Sequence, residues 1–361
     1  MRPEDRPEDR PEDRLPDLPL RGYRPRPKLR APEHHVPRAS APVIDAHNHL
    51  GRWLGADRAW TADVAPLLDV MDACNVASIV NLDGMWGEEL EANLERYDRA
   101  HPGRFVTFAH LDWREVAESG FGERMAASLR DSVSRGARGL KVWKHLGLRF
   151  RDGRDRLIAP DDERLDPVWQ AAAELGIPIT IHLGDPIAFF DPIDERNERL
   201  EELLANPDWW FGAPGLPSFD DVMASFESLV ARHPATTFIG AHAACAAEDL
   251  GWVERMLDTY PNLHADIAAR IAELGRQPRA TRALIERHPD RFVFGVDLFP
   301  PQREIYEIHF RFLETLDEHF AYDLEDPPPQ GRWAISGLGL PSDILAAVYA
   351  GNARRLIPGL V

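Results

Sequence analysis

The sequence predicts an α/β protein: a closed (β/α)8 barrel of the TIM type behind a Pro-rich, charged N-terminal extension. Three observations predict it. From Val43 onward, short apolar runs rich in β-branched residues alternate with longer helical patterns, the signature of βα units on a parallel sheet. Eight such runs occur. Several end in a residue able to bind a metal, and in a parallel barrel all C-terminal strand ends share one mouth.

The extension comes first. Residues 2–13 are three copies of Arg-Pro-Glu-Asp, and Pro-rich charged sequence continues to Pro42. Such a segment cannot bury a core, so residues 1–42 are expected to be mostly disordered, with Tyr23, Leu29 and Val36 as isolated apolar anchors. His34-His35 is expected to be solvated. Residues 43–361 form the barrel domain.

The strand candidates are Val43–His49, Ala77–Leu82, Phe105–His110, Gly139–Trp143, Ile177–His182, Thr237–His242, Leu263–Ile267 and Phe292–Asp297. Between them lie helix candidates Asp63–Ala73, Glu88–Ala100, Gly122–Arg135, Pro167–Leu175, Phe219–Arg232, Asp249–Thr259 and Arg279–Arg287. A repeated punctuation marks the helix ends: His101-Pro102, His233-Pro234, Tyr260-Pro261 and His288-Pro289. Proline cannot continue a helix, and a cationic histidine favours the C-terminal dipole, so these three histidines read as helix-ending residues. Two excursions exceed a minimal barrel. Gly184–Pro217 carries Phe189-Phe190, a charged helix from Asp194 to Leu204 and Trp209-Trp210-Phe211. The segment after Asp297 holds a long helix and Pro327-Pro328-Pro329. Both start at C-terminal strand ends, where barrels build pockets and lids.

Composition narrows the function. The chain has 361 residues, 44% of them hydrophobic, and a formal net charge of −18. That field repels phosphate backbones and anionic membranes, so nucleic acid and membrane are not expected partners. The two cysteines, Cys74 and Cys245, show no disulfide or zinc-ribbon spacing, and no apolar run is long enough to span a bilayer. A cytoplasmic protein acting on a small molecule is expected, with a homodimer as the candidate assembly because apolar barrel helices often pair.

The chemistry lies in Asp45-Ala46-His47-Asn48-His49. Alternate residues of a strand point the same way, so His47 and His49 form a claw. With His182 and Asp297 at later strand ends they make a site suited to a divalent metal, Zn²⁺ first, with Mn²⁺ and Fe²⁺ as alternatives. Such an ion lowers the pKa of a bound water towards about 7, and Asp297 is placed to move the water proton. His242, ending the sixth strand run, reads as a second ligand or, preferably, as a general acid/base. Lys141 is read as pairing with a substrate anion or carrying a carbamate between two metals, and Arg270 as a substrate-binding cation or a helix cap. His110 and Asp266 face mouth or core according to a register that sequence leaves open.

Asp45-x-His47-x-His49, Lys141, His182-x-Gly184, His242 and Phe294-Gly295-x-Asp297 together resemble the amidohydrolase superfamily, especially its amidohydrolase-related branch. The closing segments Gly337–Pro341 and Tyr349–Leu356 resemble that branch too, so the likeness runs from Val43 to Leu360. It implies a barrel in which His47, His49, His182 and Asp297 hold one metal and His242 assists the substrate. The branch includes hydrolases and non-oxidative decarboxylases. Hydrolysis of an amide, lactone or ester is the leading expectation. Decarboxylation of an aromatic or unsaturated acid is the alternative, and a noncatalytic binding barrel is the third.

Overall fold

A computed structural model describes residue 19 and residues 22–52 and 63–360. The Arg-Pro-Glu-Asp repeats lie outside the described residues. The chain divides into two units, residues 1–32 and 33–361. In the first, residues 22–30 are exposed and without regular strand or α-helix.

In the second unit, eight parallel strands are described: β1 (Val43–Asn48), β2 (Val76–Asn81), β3 (Phe105–Thr107), β4 (Leu140–Val142), β5 (Ile179–Ile181), β6 (Phe238–Gly240), β7 (Leu263–Asp266) and β8 (Phe292–Val293). Regular ladders join β1–β2–β3 and β4 through β8. Two seams close the ring. Ala109 bridges to Leu140 in parallel, and Ala46 N–H donates to Phe294 O at 2.8 Å while Asp297 N–H donates to His47 O at 2.9 Å. The strands are shorter than the apolar runs that announced them. β8 shrinks to two residues because Gly295 follows closely, and Asp297 adopts a left-handed φ of 56° that no ladder continues.

Helices α1 (Ala65–Cys74), α2 (Gly87–Asn93), α3 (Phe121–Arg135), α4 (Asp166–Leu175), α5 (Phe219–Arg232), α6 (Leu250–Thr259), α7 (Pro278–Arg287) and α8 (Arg303–Glu314) follow the strands in turn. Local sequence explains their limits. Ser218 and Asp221 form a capping box at the start of α5, Pro167 enters α4 in its first turn, and Gly176 ends it in the left-handed conformation. His233, Tyr260 and His288 are the C-cap residues of α5, α6 and α7. His233 Nε2 also meets Asp166 Oδ1 at 3.0 Å, tying α5 to α4.

Strand alternation splits the apolar residues into two groups. Val80, Leu82, Val106, Phe108, Ile239 and Val293 cluster with Ala350, Ala353 and Ile357 of the closing helices. Their neighbours Ile79, Phe105, Phe238 and Phe292 belong to the larger core in which helices cover the strands. Residues 33–42 run along the barrel. His34 N–H and Nδ1 meet the Asp317 carboxylate at 2.7 and 2.5 Å, His35 Nε2 lies 2.9 Å from Glu307, and the Arg38 guanidinium caps the C-terminal carbonyls of α1 at Asp72 and Ala73.

In the excursion after β5, the regular helix is only Leu200–Ala205. The expected helix from Asp194 starts late because Asn197 spends its side chain elsewhere: its amide donates to Ala188 O and Pro192 O, and its oxygen accepts from Arg199 N–H.

Candidate metal centre

Strand ends bring the sequence-selected residues to one place. His47 and His49 are fully buried at the end of β1. Asp297, beyond β8, lies between imidazoles: its Oδ1 is 3.7 Å from His47 Nε2 and 3.4 Å from His49 Nε2, and its Oδ2 is 3.8 Å from His242 Nε2. His182 stands beside this group rather than within it, its ring centroid 4.3 Å from that of His242 and its Nε2 against Asp185 Oδ1. Among the described residues three trios result: His47–His49–Asp297, His182–Asp185–His242, and His47–His242–Asp266, which shares one histidine with each of the other two.

Partners of the rings set their tautomers. His47 Nδ1 faces Asp266 Oδ2 at 2.7 Å, and His242 Nδ1 faces Ala268 O at 2.8 Å. Both oxygens accept, so Nδ1 carries the hydrogen and each Nε2 presents a lone pair to Asp297. The ring nitrogens of His49 make no hydrogen bond although they are buried, and the buried His182 ring has only the Asp185 carboxylate against its Nε2. Burial first, then the neighbouring cations, pushes His49 and His182 well below the usual imidazole range; burial and His182 do the same to His242. Among charges, Lys144 is felt most strongly at His182. Burial raises the Asp297 carboxyl against the pull of His47 and Lys141.

These residues fit a divalent cation. A tetrahedral site with bonds of about 2.0–2.1 Å separates its donors by roughly 3.3 Å. The Asp297–His49 separation of 3.4 Å lies near that edge. Neutral imidazoles without hydrogen bonds, buried next to a carboxylate, are otherwise costly to leave unpaired.

Backbone geometry delivers the donors. His242 through Cys245 all have φ between 56° and 62°, a left-handed turn that costs L-residues about 1–2 kcal/mol each. Asp266 holds it, accepting His242 N–H at 2.7 Å and Ala268 N–H at 3.0 Å on Oδ1. The turn folds back so far that a Cβ on Gly240 would lie 2.7 Å from Ala244 Cα. Gly295 is needed similarly, since a Cβ there would meet His47 Cβ at 2.7 Å. Asp45, the first residue of the motif, is not among these metal-facing groups. It accepts from Asn48 Nδ2 and Tyr306 O–H at 2.8 Å each, and from Val296 N–H at 3.2 Å, stapling β1 to the chain after β8; burial raises its carboxyl to about 6.

Lys141 is buried with its Nζ 3.2 Å from His47 Nε2, inside the donor cluster. Arg270 is buried too, with Nε and Nη2 on Asp185 Oδ2 at 2.8 and 2.6 Å and Nη1 on Ala269 O. His110 donates from Nε2 to Leu82 O at 2.6 Å. Sequence reasoning left Asp266 open and missed Tyr306 and Glu273. Glu273 pairs with the buried Arg199, which also pairs with Glu202 at 2.6 Å. Only the acidic character of Asp266 at a strand end signalled it beforehand. The outer wall is aromatic: Trp143 lies edge-on to His49 and His182, with centroids 5.7 and 5.5 Å away, and Phe299 lies 5.8 Å from His49.

A closed barrel gathers histidines, aspartate and lysine at its strand ends, and the amidohydrolase family profile matches residues 44–359. The chain belongs to the amidohydrolase family. Similar solved structures include a putative amidohydrolase from Staphylococcus aureus (15% identity, TM-score 0.56, covering 88% of this chain and 99% of that one). A dihydroxybenzoic acid decarboxylase from Polaromonas sp. JS666 with bound manganese and an inhibitor is similar at 15% identity (TM-score 0.55, covering 88% and 96%). So is 2,6-dihydroxybenzoate decarboxylase from Rhizobium at 16% identity (TM-score 0.53, covering 88% and 98%). At these identities the likeness is one of fold. No curated protein matches the chain. Among the described residues no helix is long and apolar enough to cross a membrane.

Proposed function

We propose that this protein is a metal-dependent hydrolase that cleaves an amide, lactone or ester of a small molecule. One observation carries the reading: His47 Nε2, His49 Nε2 and Asp297 Oδ1 converge in a buried cluster where the His49 ring has no hydrogen-bond partner. In this reading His47, His49 and Asp297 hold one divalent ion, with His182 completing the set. The bound ion supplies acidity to water and polarises the carbonyl.

The remaining work falls to side chains. Asp297, whose carboxyl burial has raised, accepts the water proton at Oδ2. Asp297 then returns the proton to the leaving nitrogen or oxygen, and His242 Nε2, bare of hydrogen and 3.8 Å from Asp297 Oδ2, is placed to orient the protonated carboxyl. Trp143 and Phe299 shield the cluster from bulk water, which strengthens each charge interaction inside. The Asp185–Arg270 pair braces His182 from behind.

Decarboxylation of an organic acid is the second reading, favoured by the buried Lys144 ammonium, which among the described residues has no carboxylate within ion-pair distance. Two of the solved structures that share the fold are named decarboxylases.

Metal analysis of the purified protein, beside His49→Ala, tests the centre. About one transition metal per chain, lost in the variant, supports it; two per chain would bring Lys141 and His242 in as ligands; none, even after incubation with Zn²⁺ or Mn²⁺, sinks it. A panel of lactones, amides, esters and carboxylic acids assayed in ¹⁸O-water then separates the reactions. Label in a product acid marks hydrolysis, whereas release of CO₂ marks decarboxylation.

A further inference from the structure

Lys144 is a buried cation without an anion. It follows β4 by two residues and is 8% exposed. Its Nζ sits 4.5 Å from the ring centroid of Trp209 and 5.6 Å from that of Phe189, both on the excursion after β5. The two rings are themselves 5.9 Å apart, so the ammonium rests on an aromatic seat. Among the described residues no hydrogen bond or ion pair is made by that nitrogen. The carboxylates whose field reaches it are Asp185 and Glu202, already held by Arg270 and Arg199, and more weakly Asp297, which lies among the imidazoles of the candidate centre.

The place of this cation matters. Its neighbour Trp143 forms the aromatic wall against His49 and His182, and Lys144 is the charge felt most at His182. A desolvated ammonium gains most from a hydrogen-bonded anion. The chain supplies none, while the aromatic seat holds the cation beside the cluster.

We propose that Lys144 recognises the substrate by a carboxylate that is not the reacting group. The substrate class is then a small organic acid with an apolar body, its carboxylate on Lys144 Nζ and its cleavable amide, lactone or ester turned towards Asp297. The assignment rests on the hydrolase reading above. Lys144 here is a specificity-determining residue and takes no part in proton transfer.

Calorimetric titration of the metal-loaded protein with benzoate and with its neutral analogue benzamide tests the proposal. Lys144→Met is expected to weaken benzoate binding at least 10-fold, Lys144→Arg to hold it within about three-fold, and both to leave benzamide unchanged. Should Lys144→Met fail the circular dichroism check of folding, Lys144→Gln carries the same expectation. Equal benzoate affinity in the wild type and the neutral variant overturns the proposal, as does a wild type that binds benzoate no better than benzamide. Repeating the titration after chelation separates this inference from the metal centre. A Lys144-dependent preference for benzoate in a protein that binds no metal keeps the anion site and removes the hydrolase reading. A metal-loaded, active enzyme indifferent to Lys144 does the reverse.

Discussion

Asp266 joins two parts of the centre, and replacing it by asparagine probes that link. Its Oδ1 accepts the N–H groups of His242 and Ala268 at 2.7 and 3.0 Å, and its Oδ2 accepts His47 Nδ1–H at 2.7 Å. In Asp266→Asn the amide oxygen must stay with the two backbone N–H groups, since an NH2 cannot accept them. The NH2 then faces His47 Nδ1, which must become the acceptor and move its hydrogen to Nε2. That hydrogen occupies the lone pair aimed at Asp297. Losing such an orienting partner costs about 10–100-fold in metal affinity, or about 1.4–2.7 kcal/mol. Asp266→Ala differs in kind, because it strands two buried N–H groups at about 1–3 kcal/mol each and should cost about 2–6 kcal/mol of folding stability. Competition with a chromophoric chelator reads the first effect, and guanidinium unfolding of the metal-free protein reads the second. An asparagine variant that holds zinc as tightly as the wild type would refute the tautomer argument.

Further expectations concern the frame. Tyr306→Phe removes the hydrogen bond to the buried Asp45 and should lower stability by about 1.5–3 kcal/mol in guanidinium unfolding, a loss that an unshifted midpoint would contradict. Gly240→Ala sets a Cβ 2.7 Å from Ala244 Cα and should cost about 1–3 kcal/mol, whereas Gly251→Ala, with its nearest neighbour at 3.4 Å on exposed α6, should gain about 0.5–1 kcal/mol; thermal melts of the pair compare them directly. His309, buried in α8, is pushed down by burial to about 4 from an ordinary 6.5. Between those values the unfolded chain binds a proton that the folded chain refuses, so stability present above pH 6.5 is lost as pH falls towards 4. At pH 5 the loss from this group is about 2 kcal/mol. His309→Leu should flatten the pH dependence by that amount, and unfolding free energies from urea titration that fall equally in wild type and variant from pH 7.5 to 5 would count against it.

Much of this architecture was legible beforehand because it is written in local periodicity. The βα alternation marked all eight strands, and helix-ending His-Pro and Tyr-Pro pairs fell on the observed C-caps of α5, α6 and α7. Boundaries were less legible. The run Phe292–Asp297 reads as one strand, yet its ladder stops at Val293, because the close approach at Gly295 and the left-handed Asp297 answer to His47 across the seam. The expected charged helix from Asp194 likewise gave way to the side-chain bonds of Asn197.

By itself the sequence determined the fold class, the family resemblance and the residue types that meet at the mouth, since periodicity and strand-end position depend on near neighbours. Only the tertiary structure decided how those residues divide their partners. Asp266 holds His47 across 219 positions, Tyr306 reaches Asp45 across 261, and Arg270 answers Asp185 across 85. The seating of Lys144 on Trp209 and Phe189 was settled the same way. Such pairings depend on ring closure, rotamer and the direction of each hydrogen bond, which distant stretches of chain acquire together only when the barrel closes.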